Sequence, residues 1–282
     1  MVSIIVLSYN TQELVLQCLE SIRKHWQHID HEVIVVDNGS ADESIQKINQ
    51  NFPTYTVIDN KKNYGFAKGC NIGARHAKGN YLLFLNSDTE FQDNSIKKSI
   101  ELLENDNKAA IVGCHLHSTN GTSLSYGKFY TLPVLFDSLF LRNSLFTREK
   151  IGGVQKVDWV SGGCLLIKTE VFTKMRGFDE HYFMYLEDMD LCFQVRRLQY
   201  NIFYDPRVII YHRGQGSSNR TFAIVQIYKG LLYFYKKNKG VTQYILLKFL
   251  LFLKAVISIC VGTLIMNKYL KNTYIKALRT II

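Results

Sequence analysis

The chain opens on a short apolar, β-branched run, Val2–Leu7, which stops at Ser8-Tyr9-Asn10. Its apolar residues then switch to helical spacing, with Leu14, Leu16, Cys18, Leu19, Ile22 and Trp26 near one face. That change of period predicts a strand followed by an amphipathic helix, with Thr11 as its N-cap. The alternation repeats. Glu32–Val36 reads as a second strand ending at Asp37-Asn38-Gly39-Ser40, and a helix opens at Ala41-Asp42-Glu43 and reaches Asn51. Tyr55–Ile58 is a third strand, Gly65–Ala77 a helix of small residues, and Tyr81–Leu85 a fourth strand ending at Asn86-Ser87-Asp88. A helix over 92–105 and a fifth strand at Ala109–Gly113 follow.

Beyond that point the pattern loosens. Residues 115–157 read as a long connection, and such connections are often functional. Val157–Lys168 looks like strand material broken at Ser161-Gly162-Gly163, Glu187–Leu198 looks helical, and Val208–Tyr211 looks like a strand ending at His212. Strands alternating with helices predict an α/β fold with a mainly parallel sheet. The strands are almost wholly apolar, as strands covered on both faces should be. Ligands of such sheets bind outside the carboxyl ends of the strands. Three polar clusters stand at those ends: Ser8–Asn10, Asp37–Ser40 and Asn86–Asp88.

Composition narrows the class. The 282 residues are 47% hydrophobic with three prolines, enough for a large core and against disorder. Six scattered cysteines form no Cys-x-x-Cys pair, which excludes a zinc ribbon and a redox dithiol and predicts free thiols in a reducing compartment. The N-terminus has no basic region before its apolar run, so it reads as a strand and not as a signal peptide. No Gly-x-Gly-x-x-Gly follows the first strand, against a Rossmann oxidoreductase, and no Gly-Lys-Ser/Thr of a P-loop is present. A nucleotidyltransferase would want a glycine-rich, basic first loop, which is also absent.

Three segments carry candidate chemistry, each with a plainer alternative. Asn86-Ser87-Asp88 ends a buried strand in a carboxylate that suits Mg²⁺ or Mn²⁺ bridging a diphosphate, although the same residues favour an ordinary turn. Glu187-Asp188-Met189-Asp190 places three carboxylates at a helix start. They either complement the helix dipole or, crowded together, raise the pKa of a general base. His212, at a strand end, is a metal ligand or a structural imidazole.

The order and company of these segments resemble family 2 of the inverting glycosyltransferases, which have the GT-A fold, and within it the bacterial rhamnosyltransferase-like branch. The likeness runs from Val2 to Gly240. It includes Val35-Val36-Asp37-Asn38-Gly39-Ser40, Asn63-Tyr64-Gly65-Phe66 with Asn71 and Gly73, Leu85-Asn86-Ser87-Asp88, Gly162-Gly163, Gly177-Phe178-Asp179-Glu180, Glu187–Cys192 and Tyr211-His212-Arg213-Gly214. The resemblance implies a nucleotide-sugar site of Ser8, Asn10, Asp37, Asn63, Gly65, Asn71, Asn86 and Ser87, with Asp37 on the base. It implies Mn²⁺ or Mg²⁺ held by Asp88 and His212, Asp188 as catalytic base supported by Glu187 and Asp190, and acceptor-site elements at Trp159, Gly162 and Gly163. Asn86 stands where the family's Asp-x-Asp motif has its first aspartate, which leaves one carboxylate for the metal. The implied reaction is a single inverting displacement with dTDP-rhamnose as donor. A UDP-hexose donor and a non-catalytic sugar-binding relative are the alternatives.

The charge sets the tail apart. Of a net +10, the first 219 residues contribute 23 basic and 24 acidic side chains; residues 220–282 hold 11 Lys/Arg and no Asp or Glu. The expected division is therefore a catalytic domain over 1–219 and a basic, apolar helical extension over 220–282. The 23 residues from Tyr244 to Met266 are long enough to span a bilayer, but Lys248 and Lys254 interrupt them. An interfacial helix with snorkelling lysines fits better, at the cytoplasmic face of a bacterial membrane and near a polyprenyl-diphosphate-linked or glycan acceptor. Packing on the core or on a second subunit is the alternative. Nucleic acid is excluded as a partner, because so apolar a segment gains little from phosphate contacts.

Overall fold

The computed structural model describes residues 1–118, 125–141, 153–214 and 219–281. The chain divides into two compact units. The first comprises Met1–Gly127, Glu149–Phe183 and Asp188–Ser217; the second comprises Lys128–Arg148, Met184–Glu187 and Ser218–Ile282.

In the first unit the predicted alternation becomes β1 (Val2–Ser8), α1 (Gln12–His25), β2 (His31–Asp37), α2 (Ser44–Asn51), β3 (Thr56–Asp59), α3 (Phe66–Ala74), β4 (Tyr81–Asn86), β5 (Thr89–Phe91), α4 (Ile96–Asn105) and β6 (Ala109–Ser118). Then come β7 (Tyr126–Gly127), β8 (Gln155–Lys156), β9 (Trp159–Val160), β10 (Cys164–Lys168) and α6 (Thr169–Lys174). The helix α7 (Glu187–Arg197) and the strand β11 (Asn201–His212) complete it. The main sheet runs β3-β2-β1-β4-β10-β6-β11-β5, with β8 beside β11. The neighbours β3-β2-β1-β4 and β6-β11 are parallel, while β10 and β5 run against their partners. Consecutive residues Ile4, Ile5 and Val6 are fully buried, so helices cover both faces of β1. Trp26 closes one face of the core, edge-on to Phe91 at 5.3 Å. None of the six cysteines is in a disulfide.

Register turns this sheet into a platform. Ser8 pairs with Asp37 and Leu7 with Asn86, so the three polar strand ends lie at one level.

Several expectations need correction. Residues 115–118 continue β6, and 126–127, 132–141 and 155–156 also form regular elements, so 115–157 is not one long connection. Gly121 and Gly152 of that segment lie outside the described residues. The strand expected at Val208–Tyr211 begins seven residues earlier. Asp205-Pro206-Arg207 would break a strand, yet β11 passes through it with an irregularity in register, where the fully buried Asp205 carboxylate takes two side-chain hydrogen bonds from Arg207, both 2.8 Å, and its N–H at 3.1 Å. The three-residue β5 has too few positions to show a period.

The second unit contains α5 (Leu132–Phe136) and a π-helical turn at Asp137–Leu141. It also contains the tail helices α8 (Arg220–Asn238), α9 (Val241–Leu264) and α10 (Lys268–Leu278). In α9 the residues Leu247, Leu251, Ala255, Ser258 and Gly262 form one buried stripe. The opposite face leaves Ile245, Phe249, Phe252, Val261 and Leu264 exposed. Lys254 does not reach for solvent as expected of a snorkelling residue. Its ammonium donates to the Leu139 carbonyl at 2.6 Å and lies over the Phe140 ring, because that carbonyl offers a partner within its own unit. By length and composition α9 is able to cross a membrane. The segment Met184–Glu187 carries two consecutive left-handed residues, Tyr185 (φ 70°) and Leu186 (φ 73°). For side chains with a Cβ this costs about 1–2 kcal/mol per residue.

Candidate functional site

Hydroxyls and amides join the strand ends. The fully buried Ser8 Oγ lies 3.1 Å from Thr11 Oγ1, which lies 2.9 Å from Ser87 Oγ. Thr11 stands at the N-cap of α1, but its hydroxyl caps nothing: Ser8 and Ser87 occupy it, and Asp42 accepts from the Gln12 N–H at 3.1 Å. The cap expectation is corrected on that point. Thr11→Val keeps the shape and leaves two buried hydroxyls without this partner. The expected loss is about 1–3 kcal/mol of stability, read as a lower melting temperature.

Asn10, left-handed at φ 52°, receives the N–H of Ala41 on Oδ1 at 2.8 Å and donates its own N–H to Ser40 Oγ at 2.8 Å. Asp37 is fully buried and takes the Ser40 N–H at 2.7 Å and its hydroxyl at 2.6 Å. Ser8 and Asp37 thus lie beneath the edge of the sheet, and Asn10 is exposed upon it.

A second loop is held against β2 by Asn38, a buried residue outside the set expected from sequence. Asn38 Nδ2 donates to the Gly65 carbonyl at 3.0 Å, and its Oδ1 accepts from Asn60 at 2.9 Å. Asn63 Oδ1 accepts the Gly65 N–H at 2.8 Å. Gly65 has φ +81°, and the following Phe66 N–H donates to the Phe183 carbonyl at 2.7 Å. Asn71 uses both ends of its amide on Phe178, donating to its carbonyl at 2.8 Å and accepting its N–H at 2.9 Å. It braces the Gly177-Phe178 turn.

The Gly162-Gly163 turn between β9 and β10 gathers the remaining parts. The Gly162 N–H donates to Asp188 Oδ2 at 2.9 Å, and the Gly163 carbonyl accepts the Asn86 N–H at 3.1 Å. Trp159 is buried just before this turn, with its Nε1 close enough to Gly127 that a Cβ there would lie at 2.9 Å. Asp188 Oδ1 takes the Met189 N–H at 2.7 Å. Burial holds the Asp188 carboxyl above its usual pKa, and the two backbone donors oppose that rise. The cause is therefore desolvation rather than the crowding of carboxylates expected from sequence. Glu187 and Asp190 are both buried beside it in sequence. A half-buried carboxylate with a raised pKa is a stronger proton acceptor than an ordinary one.

Asp88 and His212 are brought together by β5, which pairs Thr89 with His212. The Arg213 N–H donates to the Asp88 carbonyl at 3.0 Å, and His212 Nε2 lies 3.2 Å from Asp88 Oδ1. A carboxylate oxygen and an imidazole nitrogen converging at the strand ends fit Mn²⁺ or Mg²⁺. Among the described residues no third His, Cys, Asp or Glu joins them, so diphosphate oxygens and water would complete the shell.

The model of glycosyl transferase family 2 matches residues 3–176, a span that ends before Asp188 and His212. Rhamnosyltransferase WbbL of Escherichia coli is 28% identical over 234 residues, covering 79% of this chain and 86% of that protein. The N-acetylglucosaminyl-diphospho-decaprenol L-rhamnosyltransferase of Mycobacterium tuberculosis is 24% identical over 209 residues, 67% of this chain and 68% of that one. Among solved structures, a mannosyltransferase from Pyrobaculum calidifontis in complex with GDP-Man and Mn²⁺ superposes with a TM-score of 0.61. It is 16% identical and covers 99% of this chain and 74% of that one.

Proposed function

The chain belongs to glycosyl transferase family 2 and has the GT-A fold, and from that premise we propose an inverting transfer of rhamnose from dTDP-rhamnose to an acceptor hydroxyl. The acceptor is a glycan or a polyprenyl-diphosphate-linked sugar of cell-surface polysaccharide synthesis; the mycobacterial relative is named for an N-acetylglucosaminyl-diphospho-decaprenol acceptor. One observation carries the reading: the Gly162-Gly163 turn bonds the Asp188 carboxylate on one side and the end of the Asn86-Ser87-Asp88 strand on the other. A proton acceptor and a diphosphate-side carboxylate are thereby tied to one short segment.

In this mechanism Asp188 takes the proton of the acceptor hydroxyl. The acceptor oxygen attacks the anomeric carbon, the bond to the nucleotide diphosphate breaks on the opposite face, and configuration inverts. Asp88 and His212 would hold the divalent cation, which when bound offsets charge on the leaving diphosphate. Asn10, Asn63, Gly65 and Ser87 surround the donor. Ser8, Asp37 and Asn71 support it from beneath, Asp37 by holding Ser40 with both carboxylate oxygens. Glu187 and Asp190 keep the helix start acidic, and Trp159 shapes the acceptor side from below.

The test is release of nucleotide diphosphate from dTDP-rhamnose, UDP-glucose, UDP-N-acetylglucosamine and GDP-mannose with a bacterial lipid extract. Turnover of dTDP-rhamnose alone is the expected result. A UDP-sugar as sole substrate renames the donor, and no binding of any donor by calorimetry replaces the enzyme with a sugar-binding relative. Chelation is expected to abolish turnover and Mn²⁺ to restore it. Asp88→Ala is expected to weaken Mn²⁺ binding by more than about tenfold, read by electron paramagnetic resonance.

The exposed apolar face of α9, with Lys248, Lys268, Lys271, Lys276 and Arg279 in a tail free of acidic residues, fits the anionic cytoplasmic face of a membrane, where the protein binds peripherally. Flotation with phosphatidylglycerol vesicles should carry the protein up. Phe249→Asp with Phe252→Asp should leave it at the bottom, and unchanged flotation of that variant would remove the membrane surface as the partner.

A further inference from the structure

We infer that Thr89 is a positioning residue for the Asp88 carboxylate: its hydroxyl closes the turn that presents this side chain to His212. This rests on the reading of Asp88 as a metal ligand. It adds to that reading a residue that need touch neither metal nor substrate.

The strand β4 ends at Asn86, and β5, which begins at Thr89, runs the opposite way, against β11. The chain must therefore reverse within Asn86-Ser87-Asp88-Thr89. The Thr89 hydroxyl donates to the Asn86 carbonyl at 2.7 Å, a side-chain-to-backbone bond that spans the whole turn. Three further bonds reach the turn from other segments. The Asn86 N–H donates to the Gly163 carbonyl at 3.1 Å, Ser87 Oγ lies 2.9 Å from Thr11 Oγ1, and the Asp88 carbonyl accepts the Arg213 N–H at 3.0 Å. The Thr89 bond ties the last residue of the turn to the first, so the backbone that carries the Asp88 side chain is fixed on both sides.

Burial shows that this hydroxyl is there for its bond. Thr89 is fully buried, and so is Cys18 of α1, whose Sγ lies 3.8 Å from both the Thr89 hydroxyl and the Asn86 carbonyl. Valine would fill the same space and suits a strand as well, whereas a hydroxyl costs free energy in such a place unless it is bonded. The neighbouring thiol is a weak donor and a poor substitute for it. Thr89 is also the residue that β5 sets opposite His212. One residue thus closes the turn that carries the first ligand and stands in register with the second.

The experiment compares Thr89→Val, Thr89→Ser and Thr89→Ala in the full-length protein, with Mn²⁺ alone as the probe and electron paramagnetic resonance as the readout. The valine variant should bind Mn²⁺ about tenfold more weakly, as when a partner that orients a ligand is removed, and serine should keep the wild-type affinity. Serine and alanine differ by the hydroxyl alone, so that pair decides should valine fail to fold. A role confined to stability would lower the melting temperature and leave the affinity of the folded protein unchanged.

A second readout needs no metal. In the presence of chelator, the Arg213 N–H, bonded to the Asp88 carbonyl, should exchange with solvent several-fold faster in Thr89→Val and at the wild-type rate in Thr89→Ser. Unchanged Mn²⁺ affinity in folded Thr89→Val overturns the inference, as does a loss that serine does not repair. If the wild-type protein binds no Mn²⁺, the metal assignment falls instead, and exchange at Arg213 alone decides whether Thr89 positions Asp88. Faster exchange repaired by serine then supports the inference, and an unchanged rate overturns it.

Discussion

Asp188→Asn is expected to lower sugar transfer by about 100- to 10,000-fold, the range a positioned general base contributes, while leaving the melting temperature close to wild type. The carboxylate combines a raised pKa with backbone donors on both oxygens. The raised pKa also predicts the pH profile. The base acts only when ionised, so turnover should fall tenfold per pH unit below a midpoint that lies above the usual carboxylate value of about 4. The linkage has the opposite sense. A carboxyl whose folded pKa exceeds its unfolded one contributes stability that is full below the unfolded pKa and is lost as pH rises through the folded value. Ionised Asp188 therefore weakens the fold at neutral pH, and removing its charge offsets the loss of one N–H bond when the asparagine amide must face a donor. Kinetics and calorimetry on one preparation check both halves. A dead enzyme that has also unfolded would not support a role in chemistry.

Gly65→Ala should produce the largest loss of stability among single substitutions at the strand ends, at least about 2 kcal/mol. Gly65 sits at φ +81°, where any other residue is strained, and an added Cβ would stand 2.1 Å from the Phe183 carbonyl oxygen and 2.9 Å from its ring. That carbonyl accepts the Phe66 N–H, so relieving the clash means giving up the bond that docks the start of α3. The same movement pulls Gly65 from Asn38 and Asn63. Chemical denaturation should show the drop in midpoint, and calorimetry with the accepted nucleotide sugar should show weaker binding to whatever folded fraction remains. Full stability in this variant would mean that the Asn63–Gly65 loop is free to relax, against the contacts described.

The sequence showed most of the first unit because its strands and helices obey their own periods. Runs such as Val2–Leu7 and Tyr81–Leu85 are apolar enough to be read as covered strands, and the structure places them at the centre of the sheet. It was blind to β5, whose three residues are too short to show a period, and to the first half of β11, where Asp205-Pro206-Arg207 looks like a turn until the buried Asp205 carboxylate is seen holding Arg207 at an irregularity in register. Lys254 misled for a related reason: a charge in an apolar helix suggests solvent, while its partner, the Leu139 carbonyl, is 115 residues away.

For the candidate site the division is similar. Local order gave Asp88, the carboxylates of 187–190 and His212 two readings each, and the family resemblance singled out Asp188 and the glycines at 65, 162 and 163. Only the tertiary structure decided what those groups touch. The His212–Asp88 approach depends on an antiparallel pairing across 124 residues, and the Asp188–Gly162 bond on a turn from another part of the chain. Asn71 carried a motif position, but its amide is committed to Phe178, 107 residues on. The raised pKa of Asp188 comes from burial, which no local window contains. Periodicity and turn chemistry act between neighbours in sequence and can be read there. Desolvation and hydrogen-bond partnership depend on which distant segments pack together, and these were settled only when the chain folded.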